Sequence, residues 1–392
     1  MPASIYREFI AQGHDVLKGV KDLPFHDAQK LKEAAGRLRQ SLARLPLPSG
    51  VDGEVCGMLQ AWPRSQSFSV RSSSTMEDLA SAAFAGQHET YLGCSGEADI
   101  LAKLKKCWLS LWQDRAVAYR ERQGFDHLEA AMAVVVQQMV ECESAGVGFS
   151  INPVNGDLGE LVLDANFGLG ESVVSGEGEI DHWVWDKAKK AVKEARIARK
   201  SRMVVSAGSG TREEQIADDK AGKPCLSDAE IGRLAELLLK VEASYQFPQD
   251  IEWGFAGGKL HLLQSRPVTT IPPRWTRDES AERFPNVLTP LTWDFVEGGF
   301  HKSLNHSFQL MGYPPFPGKW FGMHGHYIYG NQNAVELYGR RVPLAIKSLA
   351  DLEAAMPAIR EDFCWVQELP VSWMRDLDHY LLKIGEFMAA PL

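Results

Sequence analysis

The chain has no long hydrophobic run. Its longest strongly apolar stretch without charge, residues 130–140, contains two glutamines and is about half the length a membrane-spanning helix needs. The first ten residues carry Arg7 and Glu8 and no apolar signal-peptide core. Cysteine is scarce, at six in 392 residues, and no two form a Cys-x-x-Cys pair. That argues against a disulfide scaffold and a zinc ribbon, and predicts reduced thiols in a cytoplasmic protein. Positive charge is in deficit. Lys and Arg number 42 against 51 Asp and Glu, a formal net charge of −9, which is a poor basis for general nucleic-acid binding. Small anions remain open, since they need only a local basic site. No internal repeat or low-complexity segment is present. What is there is ordinary for a folded soluble chain, with 45% hydrophobic and 24% charged residues. The length predicts two or three domains.

Periodicity divides the chain. The first 65 residues read as helices, one over residues 26–45 stopped by Pro46 and Pro48. Residues 67–71 read as a strand leading into a polar loop, Ser72-Ser73-Ser74-Thr75. Residues 97–123 predict one long helix. Its stripe is Leu101, Leu104, Trp108, Leu111, Trp112 and Tyr119, and Gly124 follows as its cap. From residue 131 the period turns extended, with strands expected over 131–140, 146–152, 160–165 and 181–186. A helix returns over 227–246, opened by the capping-box spacing Ser227-Asp228-Ala229-Glu230. Two strands, 250–255 and 260–266, then flank Gly257-Gly258. Residues 271–274, Ile-Pro-Pro-Arg, read as a linker. Beyond it, residues 271–392 hold 18 of the 37 aromatics, which predicts a second domain with a large aromatic core or an apolar ligand site.

Three segments carry candidate chemistry. Arg71 beside Ser72, Ser73, Ser74 and Thr75, followed by Phe84-Ala85-Gly86-Gln87, supplies a guanidinium, hydroxyls and backbone N–H groups. Those donors suit a polyphosphate, and equally a surface turn that caps the next helix. Gly168-Leu169-Gly170 after a strand reads first as a tight turn. His324 and His326 lack a nearby third ligand and read as loop residues rather than a metal site. In the final hairpin Ile251, Trp253 and Phe255 alternate with Asp250 and Glu252, and the second strand ends Gln264-Ser265-Arg266-Pro267. A carboxylate, an amide and a guanidinium there can hold Mg²⁺ and phosphate oxygens.

Taken in order, these stretches resemble the nucleotide-binding domain of the pyruvate phosphate dikinase and phosphoenolpyruvate synthase family. The matching residues are Ser69-Val70-Arg71-Ser72-Ser73 through Ala85-Gly86-Gln87-His88-Glu89-Thr90-Tyr91-Leu92, Val134 to Val140, Ala145 to Phe149, Gly168 to Glu171, and Gln249 to Trp253 through Leu263 to Thr269. They cover about residues 65–270. Val287 to Trp293 is similar to the region that follows this domain in rifampin phosphotransferase. The resemblance implies an α+β fold. Residues 1–270 would form an ATP-grasp-like domain of two lobes, and 271–392 a smaller, mostly α-helical domain rich in aromatics.

It also implies roles for single residues. Arg71 contacts the phosphates, and Gly86 and Thr90 belong to a phosphate-covering loop. Gln137, with Met139 and Val140 just after it, meets the adenine. Glu252 and Gln264 hold Mg²⁺, and Arg266 contacts the transferring phosphate. The implied ligands are ATP and Mg²⁺. The family's N-terminal glycine-rich segment and its phosphate-binding lysine have no counterpart here, and none of the 11 histidines lies in the family's phosphoryl-accepting context. The expectation is therefore a phosphotransferase component, incomplete on its own, that passes a phosphoryl group to a histidine on another domain or chain. Pyruvate or an aromatic hydroxyl compound would be the final acceptor, with neither nucleic acid nor membrane as partner. The alternative is a nucleotide-binding regulatory module or an inactive truncated homologue.

The hairpin admits two registers. A two-residue Gly257-Gly258 turn pairs Ala256 with Lys259 and sets Glu252 opposite Leu263, which separates Glu252 and Gln264 onto different faces. A three-residue turn, Gly257-Gly258-Lys259, pairs Glu252 with Gln264 and Asp250 with Arg266. It also turns Leu262 towards the cleft. The chemistry of a shared metal favours the three-residue turn.

Overall fold

The N-terminal 65 residues are helical, as their spacing predicts, in the computed structural model. It describes residues 1–75, 89–174, 176, 178–310, 316 and 318–339. Gly86 and residues 340–392 lie outside the described residues. The first lobe opens with α1 (Ala3–Ala11), α2 (His14–Leu17), α3 (Ala28–Ala43) and α4 (Val51–Gln60). There follow β1 (Phe68–Ser74), β2 (Thr90–Cys94), α5 (Glu97–Ser110), α6 (Asp114–Gln123) and β3 (Met132–Gln138). The three strands form an antiparallel sheet in the order β2-β1-β3. Phe68, Val70, Met132 and Val134 lie buried in one cluster with Leu104, Trp108 and Trp112 and with Tyr6 and Phe9 of α1. Each such fully buried side chain stabilises the fold by about 1.5–3 kcal/mol.

Two local expectations change here. The hydroxyl run Ser72 to Ser74 is strand rather than loop, paired with Val134, Ala133 and Met132. The predicted helix over 97–123 is two helices. The chain breaks after Ser110, and Gln113 is extended at φ −68°, ψ 148°. The buried Arg120 donates from Nη2 to the Leu111 carbonyl at 2.7 Å, so a side chain nine residues on satisfies a group the helix would otherwise use. Gly124 caps α6 in the left-handed conformation, as expected.

The second lobe contains β4 (Ser144–Phe149), β5 (Glu160–Phe167), α7 (Glu171–Val174), β6 (Asp181–Asp186) and β7 (Ala191–Arg196). It continues with β8 (Arg202–Ser206), β9 (Thr211–Gln215), α8 (Asp218–Ala221), α9 (Asp228–Tyr245), β10 (Gln249–Ala256) and β11 (Lys259–Pro267). Six strands make one antiparallel sheet, β11-β10-β4-β5-β6-β7, while β8 and β9 form a separate hairpin. Helix α9 starts at the predicted capping box, with both Ser227 and Glu230 bonds formed. Its Ile231, Leu234, Ala235 and Leu238 pack in one cluster with Ile251, Trp253 and Phe255. The alternation of β10 therefore places its apolar side on α9 and leaves Asp250 and Glu252 for the opposite face.

Beyond Pro267, Ile271 is buried with Ile151 and Val268, so the Pro-rich segment packs on the second lobe. There follow β12 (Trp275–Thr276), α10 (Asp278–Arg283), α11 (Pro290–Leu310), β13 (Phe321–His324), β14 (Tyr327–Asn331) and α12 (Gln332–Gly339). Among the described residues three helices thus accompany a small sheet, β12-β14-β13. The aromatic excess is partly core. Phe308, Phe316, Trp320 and Tyr338 pack against one another, stacked or edge-on, with ring centroids 4.8–6.0 Å apart. His324 and His326 are exposed at the β13–β14 turn, and no group of three or more possible metal ligands occurs among the described residues. The fold class is α+β, as expected. Among the described residues no helix is long and apolar enough to cross a membrane, and none of the five described cysteines is paired.

Candidate functional site

The final hairpin settles its two competing registers by combining them. The turn is the two-residue one. Ala256 pairs with Lys259, and Gly257 and Gly258 have φ of 55° and 72°, the positive values that such a turn demands and glycine supplies. The three-residue turn expected from the metal chemistry is therefore wrong. Its consequence is nevertheless present. A β-bulge shifts the register between Glu252 and Trp253, so Glu252 faces Gln264 and Asp250 faces Arg266. The extra residue is Leu263, since Trp253 pairs with Leu262. Leu262 is consequently opposite the buried Trp253 and away from the cleft, contrary to expectation.

In the first lobe, β1 runs between β2 and β3, and Arg71 lies opposite Thr90 on one side and Val135 on the other. Two residues expected in the site are thus cross-strand neighbours. Val70 and Val134 turn into the helical core, so Arg71, Thr90, Val135 and Gln137 take the other face, towards the second lobe. Arg71 closes the gap. Its Nη2 donates to Glu252 Oε2 and to Gln264 Oε1. The Arg71 and Glu252 side chains are 15% and 21% exposed, so the pair is screened from bulk water but still reachable. Arg266 is held through Nε by Asp250 Oδ2 at 2.9 Å. Gln137, expected at the adenine, donates from Nε2 to the carbonyl of the bulged Leu263 at 3.3 Å.

Met139 and Val140 open the segment that joins the lobes. Met139 is buried with Leu169 and Val204, against Leu92 and Cys142. Burial, then the Glu141 and Glu143 carboxylates, push the Cys142 thiol up to about 11, so it stays a neutral packing group. The tip of the β8–β9 hairpin crosses to the first lobe. Gly210 N–H donates to Gly93 O at 3.0 Å, and Ser95 Oγ to Gly208 O at 3.3 Å. Gly93 has φ of 65°, and a Cβ there would lie 2.3 Å from Gly210 O, so only glycine fits this crossing.

Two features escaped the sequence reading. Across the large sheet, Glu252 is followed in register by Val147, Asp164 and His182. His182 Nδ1 and Asp164 Oδ1 are 2.7 Å apart. The parity of Asp164 and His182 in their strands was the available signal. The second feature is a cavity of about 500 Å³ beside α7 and the β8–β9 hairpin. It includes none of the expected site residues, and several of its polar groups bond one another, as in Arg202–Glu213 at 3.1 Å and Thr211–Glu171 at 3.0 Å. The converging Arg71, Glu252, Gln264 and Arg266 are the better candidate site.

Two lobes of α+β structure with cationic and hard-oxygen groups meeting between them define a class of nucleotide-binding domain. The model of the pyruvate phosphate dikinase AMP/ATP-binding domain matches residues 1–284, and the chain belongs to that family. It is 40% identical over 283 residues to a probable phosphoenolpyruvate synthase of Pyrococcus horikoshii, covering 68% of this chain and 34% of the relative. It is 40% identical over 273 residues to the phosphoenolpyruvate synthase of Pyrococcus furiosus, covering 65% and 33%. A rifampicin phosphotransferase of a Streptomyces species is 41% identical over 258 residues, covering 66% and 30%. The matched region spans about a third of the length of these curated relatives.

Proposed function

We propose that the cleft binds ATP with Mg²⁺, and that the chain is the nucleotide-binding component of a phosphotransferase. It would deliver a phosphoryl group to a histidine on another domain or chain. The observation that carries this reading is the meeting of Arg71 from the first lobe with Glu252 and Gln264 from the second. A carboxylate and an amide carbonyl are hard oxygen donors, and here they converge from neighbouring strands on a single cation. That donor set suits Mg²⁺. The metal would neutralise phosphate charge and orient the polyphosphate. Arg71 and Arg266 would bind phosphate oxygens, with Thr90 beside Arg71. Gln137, Met139 and Val140 would meet the base where the lobes join, and Gly86, outside the described residues, would take the phosphate-loop role the family resemblance gives it. For the final acceptor we hold to pyruvate or an aromatic hydroxyl compound, in line with relatives named for making phosphoenolpyruvate or phosphorylating rifampicin.

Calorimetry with Mg²⁺ and a non-hydrolysable ATP analogue tests the reading. Arg266→Ala removes one charge-assisted contact, worth about 1.5–3 kcal/mol, so affinity should fall by about tenfold to a hundredfold. Unchanged affinity would remove Arg266 from the site, and no binding by the unaltered chain would remove the function.

A further inference from the structure

We infer that Arg71 is the resident cation of the Glu252–Gln264 pair, and that a divalent metal gains these oxygens only when a polyphosphate draws the guanidinium away. The inference rests on the nucleotide-site reading above. One nitrogen, Arg71 Nη2, donates to both Glu252 Oε2 and Gln264 Oε1. A Mg²⁺ ion bound to the same two oxygens would sit at ~2.0–2.1 Å from each. It would occupy the space that the guanidinium nitrogen fills and face a like charge. The two occupants therefore exclude each other.

The exchange needs little backbone movement. Arg71 lies within β1, paired to strands on both sides, and Glu252 and Gln264 are fixed by the bulged hairpin. Only the arginine side chain has to swing. A polyphosphate offers it several anionic oxygens in the fork geometry a guanidinium prefers. Leaving Glu252 half-buried without a cation is costly, so the metal completes the exchange. Nucleotide and metal then raise each other's affinity by the same factor. Metal alone must displace the guanidinium without compensation and should bind weakly. The lobes need not part when Arg71 leaves, because Gly93 and Gly210 still hold them together.

The test uses Mn²⁺ as a paramagnetic probe, with free Mn²⁺ read by electron paramagnetic resonance on the full chain without nucleotide. Arg71→Met should bind Mn²⁺ at least tenfold more tightly than the unaltered chain, and Arg71→Met/Glu252→Gln should lose that gain. Arg71→Gln serves in its place if the methionine variant does not fold. Equal Mn²⁺ affinity with and without Arg71, or a gain that survives loss of the Glu252 carboxylate, overturns the inference. A fluorescent ATP analogue titrated with saturating Mg²⁺ reports separately on the nucleotide reading. Its failure to bind would sink that reading, while the Mn²⁺ comparison would still decide the competition between Arg71 and metal.

Discussion

Lys200 offers the sharpest test of the forces that hold the second lobe. Its side chain and that of Asp181 are both 0% exposed, with Nζ 2.6 Å from Asp181 Oδ1. Asp181 also accepts the N–H of Ala198 at 2.9 Å and of Cys225 at 2.8 Å. Lys200 Nζ gives a second bond to Ala198 O at 3.0 Å and lies 5.4 Å from the Phe167 ring centre. The pair thus ties β6 to the segment entering β8 and to the loop before α9. Lys200→Met keeps the length of the stem and removes the charge. Breaking one side of a buried pair costs about 3–5 kcal/mol. Asp181 would retain two backbone donors, so the cost should fall at the lower end, about 3 kcal/mol. Asp181→Leu should cost more, since it strands an ammonium with one carbonyl and orphans two N–H groups at about 1–3 kcal/mol each. Urea unfolding monitored by circular dichroism, with hydrogen exchange of β6 as the local readout, measures both. Loss of less than about 1 kcal/mol in Lys200→Met would show that the stranded Asp181 carboxylate carries no such penalty, and the reasoning would fail.

Gly93→Ala should destabilise the chain by more than about 1 kcal/mol, because the position combines φ of 65° with the close approach of Gly210. A melting temperature equal to that of the unaltered chain would contradict the crossing described between the lobes. The His127 pKa is lowered, first by burial and then by Arg120, against the opposing pull of Glu121 and Asp126. Its neutral ring accepts from Arg120 Nε at 3.3 Å and stacks on Phe25 at 5.5 Å. The unfolded chain therefore binds this proton more readily, so the stability tied to the neutral ring is complete above about pH 6.5 and declines as pH falls below it. Between pH 7 and pH 5 the urea midpoint of the unaltered chain should drop further than that of His127→Gln; equal drops would exclude this titration as a source of acid sensitivity.

Much of the fold was written in local pattern. The stripe Leu104, Trp108 and Trp112, the capping box at Ser227 and the alternation of Ile251, Trp253 and Phe255 each have one dominant physical reading. The failures share a cause. The break between α5 and α6 falls where Leu111 and Trp112 continue the helical period, and the Leu111 carbonyl is satisfied from a distance by Arg120. The hydroxyls of Ser72 to Ser74 have turn chemistry, yet the ladder to β3 prevails. The pairing of Lys200 with Asp181, nineteen residues earlier, has no signal in the run of basic residues that surrounds the lysine. In the candidate site the pairing of Glu252 with Gln264 was legible from chemistry and the two-residue turn from glycine preference. The bulge that reconciles them leaves no local mark, because it is the product of two demands on one hairpin.

That bulge also separates two tasks which a regular hairpin would fuse. In an unbroken ladder the number of residues in the turn decides which side chains meet anywhere along it. Here Leu263 resets the phase between the tip and the cleft, so the Gly257-Gly258 end can follow its own preferred geometry. Whole pairs of residues could be added to or removed from the tip while Glu252 and Gln264 kept their alignment. Loss of Leu263 alone would put Glu252 and Gln264 out of phase while leaving the Gly257-Gly258 turn as it is.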